Sequence, residues 1–480
     1  MKRQLAALLL AALPAALASP AATLSERIEQ ILRRPAARRA FWGIQVLDLE
    51  SGRTPYQLNA GRLFVPASNT KLFTTALALS RLGPEYRYLT RLATDTPPDA
   101  EGRMAGDLAL VGGGDPNFSS RVIPYEKRVE FRPNRLEPIE ELAEEAAALG
   151  VRRIDGDIVG DDTRYLWERW ADTWALEDIG NGDGPPVTAL AFNDNVVALR
   201  IRPGGIEIHP SSSFYDIDDR RRGQAGARLR VERQPGQRTI QVWGNAGVAR
   251  TEAVAIDDPA LFAALALREA LERRGIAVAG SPRARHAMPF EPEPPPDVYP
   301  FTLASRSSFP LIEDLRLINK ISQNLHAELA LRAVARERRG VGSWEASRAE
   351  LGVFLQQAGI SAEEYSFQDG SGLSRRNLVS PSAVVALLAY MWRSPLRDTW
   401  LETLPVAGVD GTLRARFVST PAAERLQAKT GTLSHVSALS GYLETGGGRR
   451  LAFAILVNNY GAQAAPVRAA MDQICVALIQ

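Results

Sequence analysis

A hexapeptide, Pro66-Ala67-Ser68-Asn69-Thr70-Lys71, constrains this chain more than any other stretch. From Lys71 to Leu82 the apolar residues Leu72, Phe73, Ala76, Leu77 and Leu79 recur at helical spacing, and Gly83-Pro84 stops the pattern. A helix starting at Ser68 carries the serine hydroxyl and the Lys71 amine on one face, a turn apart. Serine is a poor nucleophile until a neighbour takes its proton, and a lysine does so only when burial or a second cation leaves it neutral. The free N–H groups of the first turn add donors for a developing oxyanion. The same spacing also fits a plain helix cap at Ser68 with a solvated Lys71, and Ser-x-x-Lys by itself does not separate the two readings.

At 480 residues the chain predicts two or three domains, and 45% hydrophobic with 23% charged residues is the balance of a globular protein. Lys2 and Arg3 precede an apolar run from Leu5 to Leu17, and Ala16-Leu17-Ala18 supplies small residues for cleavage, so residues 1–18 read as a signal peptide. That run is too short for a comfortable membrane span, and no later stretch of about 18 apolar residues follows. The expectation is an exported, periplasmic protein without a membrane span after cleavage, with an uncleaved anchor as the alternative. Without residues 1–18 the chain has 55 basic and 55 acidic residues. Its arginine clusters, Arg220 to Arg222 and Arg336, Arg338 and Arg339, lack interleaved aromatics and read as solvated faces, so no nucleic-acid partner is expected. The single cysteine, Cys475, lies in an apolar helical pattern and reads as core. Four scattered histidines show no ligand spacing, so neither metal nor other cofactor is expected, and oligomeric state has no signature in the chain.

Periodicity predicts helices over Leu24 to Arg34, Pro138 to Gly150, Pro259 to Arg274, Ile312 to Arg338, Trp344 to Ala358 and Pro381 to Arg393, with one more at the C-terminus. Strands are predicted at Phe41 to Leu49, Tyr56 to Leu58, Val151 to Val159, Ala438 to Leu443 and Leu451 to Val457, and as a β-rich run between Val187 and Val248. Gly112-Gly113-Gly114 lacks the Gly-Lys-Ser/Thr that completes a phosphate cradle and reads as a tight turn. The Pro-rich connector Pro289 to Pro300 marks a domain boundary.

Two further polar groups stand out. Ser322-Gln323-Asn324 interrupts an apolar helical run; it reads either as a catalytic pair or as the wet side of an amphipathic helix. Lys429-Thr430-Gly431-Thr432 precedes the final hairpin; a cation, a hydroxyl and a glycine on a strand suit a carboxylate on a peptide lying close to the backbone. Each is weak alone. Together and in this order, Ser-x-x-Lys, Ser-x-Asn and Lys-Thr-Gly are the known signature of active-site-serine β-lactamases and penicillin-binding proteins.

The chain resembles the D-alanyl-D-alanine carboxypeptidase/endopeptidase family, the class C low-molecular-weight penicillin-binding proteins. About 250 residues separate Lys71 from Ser322, far more than a compact β-lactamase needs, and Gly112 to Pro116, Asp369 to Arg375 and Gly408 to Leu413 look like further family signatures. The resemblance implies a mixed α/β (α+β) fold: a β-lactamase/transpeptidase-like domain with an antiparallel sheet flanked by helices, plus two inserted smaller domains, one mostly β. The implied boundaries are a discontinuous catalytic domain at 24–85 and 295–480, an insert at 86–190 and 250–294, and a small β domain at 191–249. The implied activity is cleavage of D-Ala-D-Ala type peptide bonds of peptidoglycan, as carboxypeptidase, endopeptidase or both, with stem peptides as substrates and β-lactam antibiotics as covalent inhibitors. By the same resemblance Ser68 is the nucleophile, Lys71 its base and Ser322 a proton relay. Asn324 contacts the substrate amide or Lys71, Lys429 and Thr430 bind the terminal carboxylate, and Ser68 and Thr432 supply the oxyanion N–H groups. Asp162 and Arg375 are expected to line the cleft, or else to be a turn residue and a surface ion pair. Gln323 stands where β-lactamases commonly carry Asp and is expected to point away from the pocket. No counterpart of the class A deacylating glutamate is evident, which disfavours a β-lactamase; a non-catalytic cell-wall peptide-binding protein is the other alternative.

Overall fold

A computed structural model of the chain describes residues 23–223, 226–291, 298–461 and 463–480. The expected signal peptide at 1–18 and the middle of the Pro-rich connector lie outside the described residues. The central sheet has five antiparallel strands in the order Leu426–Leu433, Val436–Glu444, Arg450–Asn458, Phe41–Asp48, Tyr56–Leu58. It joins the N-terminal hairpin to the C-terminal strands, as expected from the resemblance. Arg450–Asn458 is buried from its second residue onward, which explains its unbroken apolar sequence. Its residues alternate between two cores. Ala452, Ala454 and Leu456 pack with the helices Thr70–Leu82 and Pro381–Arg393, whereas Phe453, Ile455 and Val457 pack with Leu24–Leu32 and Ala464–Ile479. The result is helices over both faces of one sheet. Cys475 is buried in the second of these cores, as its periodicity predicts.

A second five-stranded sheet runs Pro282–Ala287, Ile158–Leu166, Leu108–Val111, Leu89–Thr94, Phe301–Ser307, with both parallel and antiparallel pairs. Phe301–Ser307 falls on the catalytic side of the expected boundary at 295, yet it pairs with Leu89–Thr94 of the insert. The strand Arg250–Ala255, expected beyond the small β unit, pairs with Val196–Arg202 inside it. Among the described residues that unit shares its core: Val197, Leu199, Ile201, Ile240 and Val242 lie in one cluster with Leu92, Leu110, Ile158 and Phe262.

Two predicted elements are corrected. Val151 to Val159 is not one strand; Arg153–Ile154 and Ile158–Leu166 belong to different sheets. The second runs on through Asp161 and Asp162, because their buried carboxylates find Thr163, Arg285, Thr188 and His286 as partners. Ile312 to Arg338 is two helices, Leu311–Lys320 and Asn324–Arg339, broken at Ser322, whose φ of 65° no right-handed helix accommodates.

Candidate active site

Four backbone segments converge on Ser68. The residue sits in a 3-10 turn, Ala67–Asn69, that feeds the helix Thr70–Leu82. The chain entering this turn is held by the strand end: Val65 donates to Asn458 Oδ1 (2.8 Å) and accepts from Asn458 Nδ2 (3.1 Å). Asn69 Nδ2 donates to the Lys429 carbonyl at 3.0 Å, tying the turn to the strand Leu426–Leu433. Gly431 lets that strand approach; a Cβ there would lie 2.7 Å from Pro66 O and 3.1 Å from Ser68 N. On the other side Gly372, at φ 82°, backs onto the Ala67 carbonyl, where a Cβ would stand 1.9 Å away.

Lys71 is fully buried, and its Nζ has three oxygen neighbours: Ser68 Oγ at 2.9 Å, Asn324 Oδ1 at 2.6 Å and the Ser371 carbonyl at 2.5 Å. A neutral amine has two N–H donors and one lone pair. Asn324 Oδ1 and the Ser371 carbonyl can only accept, so they take the two N–H groups and the lone pair falls to the Ser68 hydroxyl. Burial drives the Lys71 amine down to about 7 against the upward pull of Asp369, Glu328 and Asp183. The Asn324 amide is oriented by the insert, because its Nδ2 donates to the Asp183 carbonyl at 2.8 Å and leaves Oδ1 for Lys71.

Ser322 stands in the break between its two helices. Lys320, the last residue of the first helix, is anchored by Asp410 Oδ2 (2.5 Å) and the Leu404 carbonyl (2.9 Å). Lys429 Nζ donates to Ser322 Oγ at 2.9 Å and to the Thr430 carbonyl at 2.8 Å. Burial, then the neighbouring Lys71, holds Lys429 well below the usual lysine range. Thr430 Oγ1 meets Thr412 Oγ1 at 2.8 Å, and Thr432 is exposed one residue past Gly431. Ser68, Lys71 and Asn324 thus form one hydrogen-bonded set and Ser322, Lys429 and Thr430 another, and the two adjoin where Asn69 meets the Lys429 carbonyl and where Lys71 acts on the Lys429 amine. A proton acceptor beside a hydroxyl, a second hydroxyl on a cation and a strand edge open to a peptide are the parts that acyl transfer needs.

Arg375 is exposed and donates from Nη2 to the Ser434 carbonyl at 3.0 Å, which joins the Asp369–Asn377 turn to the end of the Lys429 strand. Asp162 is placed elsewhere: it is buried in the insert's sheet, with Thr188 and His286 as its partners and none of the Ser68 group among them. Sequence reasoning missed Asp183, Trp174 and Glu328. Trp174 Nε1 donates to Asp369 Oδ2 at 2.8 Å, pinning the insert to the turn that flanks Lys71. Trp174 and Glu328 act through side chains and Asp183 through its carbonyl, each on a partner distant in the chain, and no local pattern marks such a role. The roles of Asp410 and Thr412 were foreshadowed only by the family-like run Gly408 to Leu413.

Comparison with known proteins points to one family. The chain is 35% identical over 480 residues to a D-alanyl-D-alanine carboxypeptidase of Actinomadura sp. (strain R39), covering 95% of this chain and 84% of that one. It is 27% identical to penicillin-sensitive carboxypeptidase A of Dictyostelium discoideum, covering 88% and 83% of the two chains. Its fold is similar to the crystal structure of penicillin binding protein 4 from Haemophilus influenzae, with a TM-score of 0.81 at 23% identity, covering 94% of this chain and 99% of that one. Residues 24–478 match the D-Ala-D-Ala carboxypeptidase 3 (S13) family. This chain belongs to that family, and is a serine-type D-Ala-D-Ala carboxypeptidase with the β-lactamase/transpeptidase-like fold.

Proposed function

We propose that the protein cleaves D-Ala-D-Ala type bonds of peptidoglycan stem peptides through a Ser68 acyl-enzyme. Ser68 Oγ attacks the scissile carbonyl carbon as its proton passes to the Lys71 lone pair. The Ser68 and Thr432 backbone N–H groups hold the oxyanion, and each such donor is worth about 10²–10³ in rate. Collapse of the tetrahedral intermediate expels the leaving amine, which takes a proton relayed by Ser322. Lys429 and Thr430 bind the terminal carboxylate, with Arg375 at the rim of the cleft. Water then attacks the ester and frees Ser68. The observation that supports this most is Lys71 Nζ between Ser68 Oγ and two oxygens that only accept.

A β-lactam presents a strained amide to the same serine; the Haemophilus influenzae protein has also been solved with one bound, a structure that matches this fold at a TM-score of 0.72. Intact-mass spectrometry with benzylpenicillin should show a covalent adduct on this protein that vanishes in Ser68→Ala; absence of an adduct at any dose removes the acyl-enzyme. Monomeric and cross-linked muropeptides separate the two uses of the cleft: loss of the terminal D-Ala marks the carboxypeptidase, loss of the cross-linked mass the endopeptidase. Export through the segment 1–18 places the enzyme in the periplasm, where its substrate lies, and fractionation of cells making the full chain tests this. Among the described residues no helix is long and apolar enough to cross a membrane.

A further inference from the structure

Glu328 lies one turn after Asn324 on the helix Asn324–Arg339 and is 2% exposed. Its Oε1 accepts from the backbone N–H groups of Gly370 (2.9 Å) and Ser371 (2.8 Å). The carbonyl of Ser371 is the one that accepts from Lys71 Nζ. Thr74 Oγ1 donates to the Gly370 carbonyl at 2.6 Å, and a Cβ on Gly370 would lie 2.4 Å from Leu331 Cδ1, so the turn is wedged between two helices. One buried carboxylate thus clamps the backbone on the N-terminal side of Ser371, the residue whose carbonyl takes an N–H of the amine.

We propose that Glu328 is a positioning residue for the base: it holds the backbone at Ser371 so that Lys71 is aimed at Ser68, and when ionised it sets a negative charge near the amine. This rests on the acyl-enzyme reading above. The charged groups facing Lys71 are Asp369, Glu328, Asp183 and Lys429. Those facing Glu328, besides Lys71, are Asp369 and Arg332, and Arg332 pairs with Glu168. On the neighbouring helix Trp344–Gln357, Glu350 is taken up by Arg81 and Arg339. Burial, then Asp369, raises Glu328 to about 7, with Arg332 opposing. An ionised Glu328 favours the protonated amine, so removing its charge lowers the pH at which Lys71 becomes a base.

The test is the rate of benzylpenicillin acylation against pH, followed by intact mass, in the full chain and its variants. Glu328→Gln keeps an acceptor oxygen but no charge, and moves the ascending limb to lower pH by about one unit, the low end for one nearby opposite charge. Glu328→Ala leaves two buried N–H groups without a partner and lowers the plateau on the order of 10²-fold, a loss that Gln recovers in part. A folded Glu328→Gln whose profile superimposes on the unaltered chain overturns the proposal, as do equal plateau losses in Gln and Ala with no movement of the limb. If Glu328→Gln does not fold, Glu328→Asp decides: the charge stays but the clamp shortens, so the plateau falls with the limb in place, and an unchanged plateau refutes the role. No adduct on the unaltered chain sinks the acyl-enzyme reading and this one together; an adduct with unmoved profiles sinks only this one.

Discussion

Gly431→Ala tests how closely the strand Leu426–Leu433 must approach the nucleophile. The added methyl would lie 2.7 Å from Pro66 O and 3.1 Å from both Ser68 N and Ala438 Cβ. Comfortable contact needs about 3.5 Å, so something must give by more than about half an ångström. Little can. Pro66 O accepts from Asn69 N, Val65 is fastened to Asn458 by both amide bonds, and Gly431 is paired with Ala438 in the sheet. Overpacking of this kind costs about 1–3 kcal/mol of stability, which a folded chain of this size tolerates. The displacement falls on the gap between Ser68 N and Thr432, where the oxyanion donors are proposed to stand. Moving one such donor out of range costs about 2.7–4 kcal/mol of transition-state stabilisation, or 10²–10³ in rate. The assay is the second-order rate of benzylpenicillin acylation by intact mass, with thermal melting to show that the variant is folded. A loss of at least about 10² is expected. A folded Gly431→Ala that acylates within about threefold of the unaltered chain would refute the close-approach argument and the oxyanion site with it.

Three further outcomes are expected. Lys71 held down to about 7 is neutral, and so a base, above that pH; acylation should rise through about pH 7 and level off, and a rate still climbing tenfold between pH 9 and 10 contradicts this. Lys429→Gln removes the amine proposed to meet the substrate carboxylate, whose negative charge favours the protonated form; such a charged hydrogen bond is worth about 1.5–3 kcal/mol, so kcat/KM for a carboxylate-ended peptide should fall by about 10–10² and much less for its amide; equal losses on both would show that Lys429 acts only on Ser322. His326, fully buried between Asp314 and Asp194, is pulled down by burial but raised overall to about 8 by those carboxylates. Its stabilising share is complete below its unfolded value near 6.5 and is lost as pH rises through 8, about 2 kcal/mol in all. The stability gap between the unaltered chain and His326→Gln in urea should narrow by that order from pH 6 to 9, and a constant gap would exclude the linkage.

The elements that were legible in the sequence are those whose signal is local. Leu72, Phe73, Ala76, Leu77 and Leu79 at helical spacing foretold the helix behind Ser68, and the apolar run Leu451 to Val457 foretold a strand, which the fold buries on both faces. The break at Ser322 was not legible, because the residues on each side keep helical periodicity. The first helix ends at Lys320, whose amine is anchored on Asp410, ninety positions away in the chain. The pairing of two strands was not legible for a similar reason: Phe301–Ser307 and Arg250–Ala255 are ordinary strand sequences, and only their partners reveal which sheet they join.

The chain by itself determined its chemistry. Three short runs of residue types, in order and widely spaced, were enough to imply a serine nucleophile, an amine base and a cation for a carboxylate. Tertiary structure alone decided that the amine has a lone pair to offer. Burial lowers its proton affinity, Asn324 and the Ser371 carbonyl occupy its N–H groups, and the Asp183 carbonyl turns Asn324 to do so. Those partners lie 112 to 300 residues from Lys71 along the chain. A proton affinity is set by solvent exclusion and by neighbours in space, and neither is written in the order of the residues.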